Sequence, residues 1–197
     1  MNKMMMKKTF ILATLSLLTL NGCAALLPIS VVTTTLIASD ERSLGVILDD
    51  KMIISRIRSE LMKFGTSFLQ VHLEVLEGRV LITGTVPSHD AAKEVLKIVW
   101  SVKGVREVLN ELVVSLKSLD SSTNDTLIEK SIEGLLLVEK DLISANYRIA
   151  VNNNKVYLLG IAQNEKERDK ALKVARQAKG VEKVINYIIL KNDIRRG

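Results

Sequence analysis

Apolar and polar positions alternate along this chain in two rhythms, and the whole pattern is written twice. Ile53, Ile57, Leu61 and Phe64 fall four, four and three residues apart, the spacing of one stripe on an amphipathic helix. Val71, Leu73 and Val75 then alternate with His72 and Glu74, which predicts a half-buried strand. Glu77-Gly78 supplies a tight turn into a second strand that passes Gly84. Ser88 is placed to N-cap a helix over 89–102, and Gly104 with Lys103 before it is expected to end that helix as a C′ glycine. An apolar strand through Val108 and Leu112 follows.

The same order returns further on. Gly84 and Gly160 are 76 residues apart, as are Gly104 and Gly180. Gly104-Val105, Val108, Asn110 and Leu112 are answered by Gly180-Val181, Val184, Asn186 and Ile188. Arg79-Val80-Leu81-Ile82 is answered by Lys155-Val156-Tyr157-Leu158, with Asn152-Asn153-Asn154 as the turn that tolerates positive φ. The opening helices match at an offset of 75, Asp50, Ile53, Ile57 and Leu61 against Asp125, Ile128, Ile132 and Leu136. Asn164 takes the N-cap place before a helix over 165–179. An internal repeat of this length marks one structural module used twice. Each copy predicts helix–strand–strand–helix–strand, an α+β unit with two helices on one face of a three-stranded mixed sheet. So small a core is marginal alone, and packing one copy on the other would help.

The N-terminus has a different pattern. Lys3, Lys7 and Lys8 precede a short apolar run from Phe10 to Leu20, the layout of a secretory signal peptide and too short for a comfortable span. The run ends at Leu20-Asn21-Gly22-Cys23, and Cys23 is the single Cys of the 197 residues. No internal disulfide can form. The net charge of +6 is halved when residues 1–22 are removed, since they hold three Lys and no acid. With aromatics at 4%, neither a strong basic footprint nor a stacking platform for nucleic acid is present. The predicted organisation is a signal peptide at 1–22, a tether at 23–48, and two modules at 49–118 and 119–197.

Leu20-Asn21-Gly22-Cys23 resembles the lipobox of bacterial lipoproteins. The repeated Gly, helix and Gly-Val-x-x-Val-x-Asn-x-apolar pattern resembles the BON domain. With Asp40-x-Arg42-Ser43-x-Gly45 before Asp49-Asp50, and Asn124-Asp125-Thr126 opening the second copy, the chain is similar to the dual-BON outer-membrane lipoproteins of the DolP type. That resemblance implies acylation at Cys23, and Ala24 in place of Asp points to the outer membrane, on its periplasmic face. It implies a non-catalytic protein that maintains outer-membrane integrity, binds anionic phospholipid through the first helix of the second domain, and collects at the division site. Its partners would be the membrane, through the acyl groups, and outer-membrane assembly or cell-wall remodelling proteins. No cofactor, metal or nucleic acid is expected. Each buried acyl methylene contributes roughly 0.8 kcal/mol, so two or more chains make a lasting anchor.

Enzyme chemistry finds little in the residues. His72 and His89 have no Cys or acid cluster at a ligand spacing, and no phosphate loop or nucleophile elbow occurs. Asp49-Asp50 is read as acids at a helix N-terminus. The helix from Asp125 to about Val138 is richer. Ile128, Ile132, Leu135 and Leu136 make its core stripe, while Leu127, Ser131, Gly134 and Val138 make a second apolar or small stripe roughly 90° away. Two readings fit this surplus: it packs on the first copy, or Leu127 and its neighbours, with Lys130, enter lipid. Glu129 and Glu133 oppose an anionic surface. Lys166, Lys170 and Lys173 line one side of the last helix, either as a solvated face or as a cationic patch for headgroups. Trp100 fits an interface or a core edge. The alternative to lipid binding is an envelope scaffold whose domains bind only protein.

Overall fold

The computed structural model describes residues 42–65, 68, 70–115 and 123–196. The segment expected to be a signal peptide, Cys23 and the expected tether as far as residue 41 lie outside the described residues. Asp40–Gly197 forms one compact unit. Its elements are α1 (Leu44–Met62), β1 (Val71–Leu76), β2 (Arg79–Val86), α2 (His89–Ser101) and β3 (Glu107–Val114), then α3 (Thr123–Val138), β4 (Tyr147–Asn152), β5 (Lys155–Ala162), α4 (Glu165–Gln177) and β6 (Lys183–Leu190). The order of each copy is the predicted one.

In each sheet the second strand is central, antiparallel to the first and parallel to the third, with orders β1-β2-β3 and β4-β5-β6. The turns between the first two strands use two residues at positive φ: Glu77 (51°) with Gly78 (71°), and Asn153 (52°) with Asn154 (59°). Two consecutive left-handed residues are what a two-residue hairpin of type I′ requires. The expected caps form. Ser88 Oγ accepts from Ala91 N at 3.1 Å, and Asn164 Oδ1 from Glu167 N at 3.0 Å.

Three expectations are corrected. First, α1 starts at Leu44, inside the stretch assigned to the tether, with Ser43 Oγ accepting from Val46 N at 3.3 Å. Its first turns show no apolar stripe because they reach no part of the buried core: Leu44 is 61% exposed and Leu48 64%, while Val46 and Ile47 are half-buried. Second, Phe64 and Leu135 stand outside the core; Phe64 lies past the end of α1 and sets its ring edge-on to Phe68. Third, Gly104 and Gly180 are not C′ caps. The helices end at Ser101 and Gln177, three residues before the glycines, and Val105 N→Val102 O (3.2 Å) and Val181 N→Ala178 O (3.3 Å) close separate turns. Each glycine is the third residue of its turn, with φ of 102° and 92°, where a type II turn needs a positive φ.

One apolar core lies under each pair of helices. Ile53, Ile57 and Leu61 meet Leu73, Val80, Ile82 and Val99 in the first copy; Ile128, Ile132 and Leu136 meet Ile149, Leu158 and Ala175 in the second. A third core joins the opposite sheet faces, where Leu76 and Leu81 pack with Tyr157, Leu159, Ile161 and Ile189. Strands buried on both faces read as near-continuous apolar runs, which β2 and β5 do. The copies therefore dock sheet to sheet, and their helices face outward.

Candidate membrane-contact surface

Because the sheets take up the interface between copies, α3 keeps its second stripe free. Leu127 is 64% exposed, Val138 76%, and Leu137, on a third side, 58%. Gly134 is exposed between them, with nothing within 4 Å of where a Cβ would stand. The reading that packs this stripe on the first copy is overturned for these residues. Lys130 lies beside it but is engaged: its Nζ is 2.8 Å from Glu133 and 3.8 Å from Glu129. The hydrogen bond to Glu133 leads the causes that raise its pKa.

The three lysines of α4 do not behave alike. Lys166 and Lys173 are exposed, whereas Lys170 Nζ bridges Glu139 at 3.1 Å and Asp141 at 3.6 Å and donates to Lys140 O at 2.6 Å. Lys170 thus fastens α4 to the loop after α3. Its pKa is raised, first by the hydrogen bond to Glu139. α3 and α4 share the outer face of the second sheet, so the apolar and basic residues belong to one layer. Lys170 meets the Val138 end of α3, and Leu127 lies about 16 Å away along the helix axis. Trp100, on α2, is 56% exposed and belongs to neither the core nor the interface between copies.

The acids expected at a helix start have a different task. Asp50 lies nearly two turns inside α1 and is buried. Its Oδ2 accepts from Glu77 N (2.9 Å) and Arg42 Nη1 (3.0 Å), and its Oδ1 from Gly78 N (2.9 Å). Asp125 repeats this in the second copy, accepting from Asn153 N (2.8 Å) and Asn154 N (2.9 Å). Each carboxylate binds a hairpin turn to the helix that crosses it. The sequence did hold a signal, since an Asp precedes both turns at matching places in the repeat. Glu167, also buried, accepts from Ile143 N (3.2 Å) and Gln163 N (2.7 Å), organising the start of α4. Burial leads the causes that raise the pKa of the adjacent Tyr147 hydroxyl, followed by Glu167.

His72 stands on the outward phase of β1, where partial desolvation of its ring, then Arg58, lowers its pKa. Among the described residues no three His, Cys, Asp or Glu are grouped to hold a metal ion, and no helix is long and apolar enough to cross a membrane.

Comparison with known proteins matches the BON domain to residues 49–115 and 124–192. The chain is 35% identical over 147 residues to an uncharacterised protein of the gshII 5′ region of Anaplasma centrale, covering 74% of this chain and 97% of that one. It is 27% identical over 169 residues to the outer membrane lipoprotein DolP of Haemophilus influenzae, covering 84% and 87%. It is 24% identical over 161 residues to the osmotically inducible protein Y of Escherichia coli, covering 80% and 77%. Two cores, two hairpins held by an aspartate and two matched segments agree: the chain belongs to the BON-domain family, as a two-domain protein of the DolP type.

Proposed function

We propose that this is a non-enzymatic protein of the bacterial envelope, anchored through an acylated Cys23 to the periplasmic face of the outer membrane, whose second BON domain contacts anionic phospholipid. The observation that carries the reading is the uncovered stripe on α3, where Leu127 and Val138 stand in solvent because the copies dock through their sheets and no described element covers this side of the helix. An apolar face that the fold leaves unpartnered has a use outside the fold. In this reading Leu127 enters the interface, Gly134 lets the helix approach closely, and Lys166 and Lys173 meet headgroups. The role is maintenance of outer-membrane integrity, with recruitment to the division site and contact with assembly or cell-wall remodelling proteins.

Vesicle flotation of the unacylated fragment 40–197 tests this. The fragment should float with anionic vesicles and not with neutral ones, and Leu127→Glu should abolish flotation while the fold is retained. Full binding by Leu127→Glu would move the contact elsewhere. A second reading, a scaffold that binds only protein, draws on the pairing of Lys130 with Glu133, which leaves α3 poorly matched to an anionic surface. Failure of the wild-type fragment to bind any anionic vesicle would favour it. Fatty-acid labelling of the wild type, and none of Cys23→Ala, tests the anchor.

A further inference from the structure

A cleft of about 590 Å³ opens in the first copy, where α1 crosses the β1–β2 turn and the turn after α2. Val46, Met52 and Ile53 form its apolar wall, and Arg56, Lys103 and Arg106 its basic wall. Two of its three acids are already engaged, Asp50 by Arg42 and the turn amides, and Glu77 by Arg196 at 2.7 Å. Arg56 and Lys103 form no ion pair among the described residues. The backbone beneath is fixed before any ligand arrives, since Arg106 N donates to Gly78 O at 2.8 Å and Gly78 N to Asp50.

The second copy has the same backbone with different side chains. Glu182 N donates to Asn154 O at 3.0 Å, the counterpart of the Arg106–Gly78 bond. Asn154, however, stands where the first copy has Gly78, and its side chain joins Asn124 (2.6 Å) to Glu182 (3.1 Å). Ser131 and Glu182 replace Arg56 and Arg106. One framework is thus bridged by amides and an acid in one copy, and in the other is lined by Arg56 and Lys103, with Arg106 Nη2 donating to Arg195 O at 2.6 Å.

We propose that this cleft of the first copy binds the phosphoryl group of an anionic amphiphile, with Arg56, Lys103 and Arg106 on the oxyanion and Val46 and Met52 against its acyl chain. Guanidinium groups recognise phosphate through paired charge-assisted bonds. The volume suits one small ligand, and a preformed site loses little in ordering. The site is separate from the α3 surface and stands or falls without it.

The test is an amide chemical-shift titration of fragment 40–197 with dihexanoyl phosphatidic acid below its micelle concentration, and with inorganic phosphate. The lipid should shift Met52, Gly78 and Gly104 saturably, and inorganic phosphate should bind the same place at least tenfold more weakly. The exposed pair Arg56→Gln with Lys103→Gln should weaken lipid binding at least tenfold with the rest of the spectrum unchanged, while Leu127→Glu leaves it intact. Unchanged binding by the double variant, or shifts confined to α3, would overturn the proposal. Equal affinity for inorganic phosphate would overturn the amphiphile and leave a free-phosphate site.

Discussion

The hydroxyl of Tyr187 on β6 donates a hydrogen bond to the carboxylate of Glu111 on β3, and the two residues occupy the same position in the two copies. Leu81 and Tyr157, also equivalent, share the core between the sheets. Contact between equivalent positions is the mark of isologous docking, here within one chain. Arg79 and Arg196 extend it: Arg79 is held by Glu107 and donates to Tyr187 O at 3.1 Å, and Arg196 grips Glu77 through two bonds of 3.0 and 2.7 Å.

Tyr187→Phe should therefore destabilise the docked pair by about 1.5–3 kcal/mol, the range for a hydrogen bond to a charged group. Urea unfolding measures it. Because the third core couples the copies, both wild type and variant should unfold in one transition; two separate transitions would show that the domains fold independently.

Gly84 and Gly160 are equivalent in the repeat yet constrained differently. Gly84 has φ of 109°, and a Cβ there would fall 1.8 Å from Gln70 O, a backbone atom. At Gly160 the obstacle is a side chain, Tyr147 Cδ1 at 2.5 Å. Register explains the second contact, since Tyr147 lies opposite Gly160. Gly84→Ala should cost more than the about 1–3 kcal/mol of ordinary overpacking, and Gly160→Ala should stay within it. Thermal melts in a Tyr147→Leu background should show a smaller cost for Gly160→Ala. An undiminished cost there would mean that the ring is not the obstacle.

These glycines mark how far the sequence could be read. Turn residues, caps and strand phases are local, and the repeat exposed them twice, so the order of elements was legible. Docking was not, because Leu76 and Leu81 on one sheet and Leu159 and Ile161 on the other look like any second apolar phase until their partner is seen. Asp50 was misread because α1 begins before its apolar stripe does. In the candidate surface, Leu127 stood out by helical phase. The capture of Lys170 by Glu139 and Asp141 depends on a loop conformation that spacing does not encode.

Acidity should act through Glu74. Burial first raises its carboxyl above the ordinary 4.5; Arg148 opposes, Glu129 adds to the rise, and Lys51 and Arg58 oppose. A raised carboxyl pKa means that the folded state binds the proton more tightly, so stability falls as pH rises from 4.5 through the folded value. Glu74→Gln should accordingly be the more stable protein at neutral pH, with the difference vanishing below about pH 4. Urea midpoints across that range decide it. A less stable variant at neutral pH would mean that attraction to Arg148 outweighs desolvation.

The lysines of α4 should separate by task. Lys170 has two carboxylates and a carbonyl to satisfy, so Lys170→Gln removes the tie between α4 and the loop after α3. Exposed ion pairs are screened by solvent and contribute little, so a small loss of stability is the expected result. Lys166 and Lys173 are exposed and form no ion pair among the described residues, so their charge remains available to an anionic surface. Lys166→Gln with Lys173→Gln should leave stability unchanged, weaken flotation with anionic vesicles, and flatten its dependence on salt, since screening acts on exposed charges. Lys170→Gln should change flotation less than this pair does. Were Lys170→Gln the more damaging to vesicle binding, the headgroups would be displacing Glu139 and Asp141 from Lys170, and the basic stripe would act as a whole.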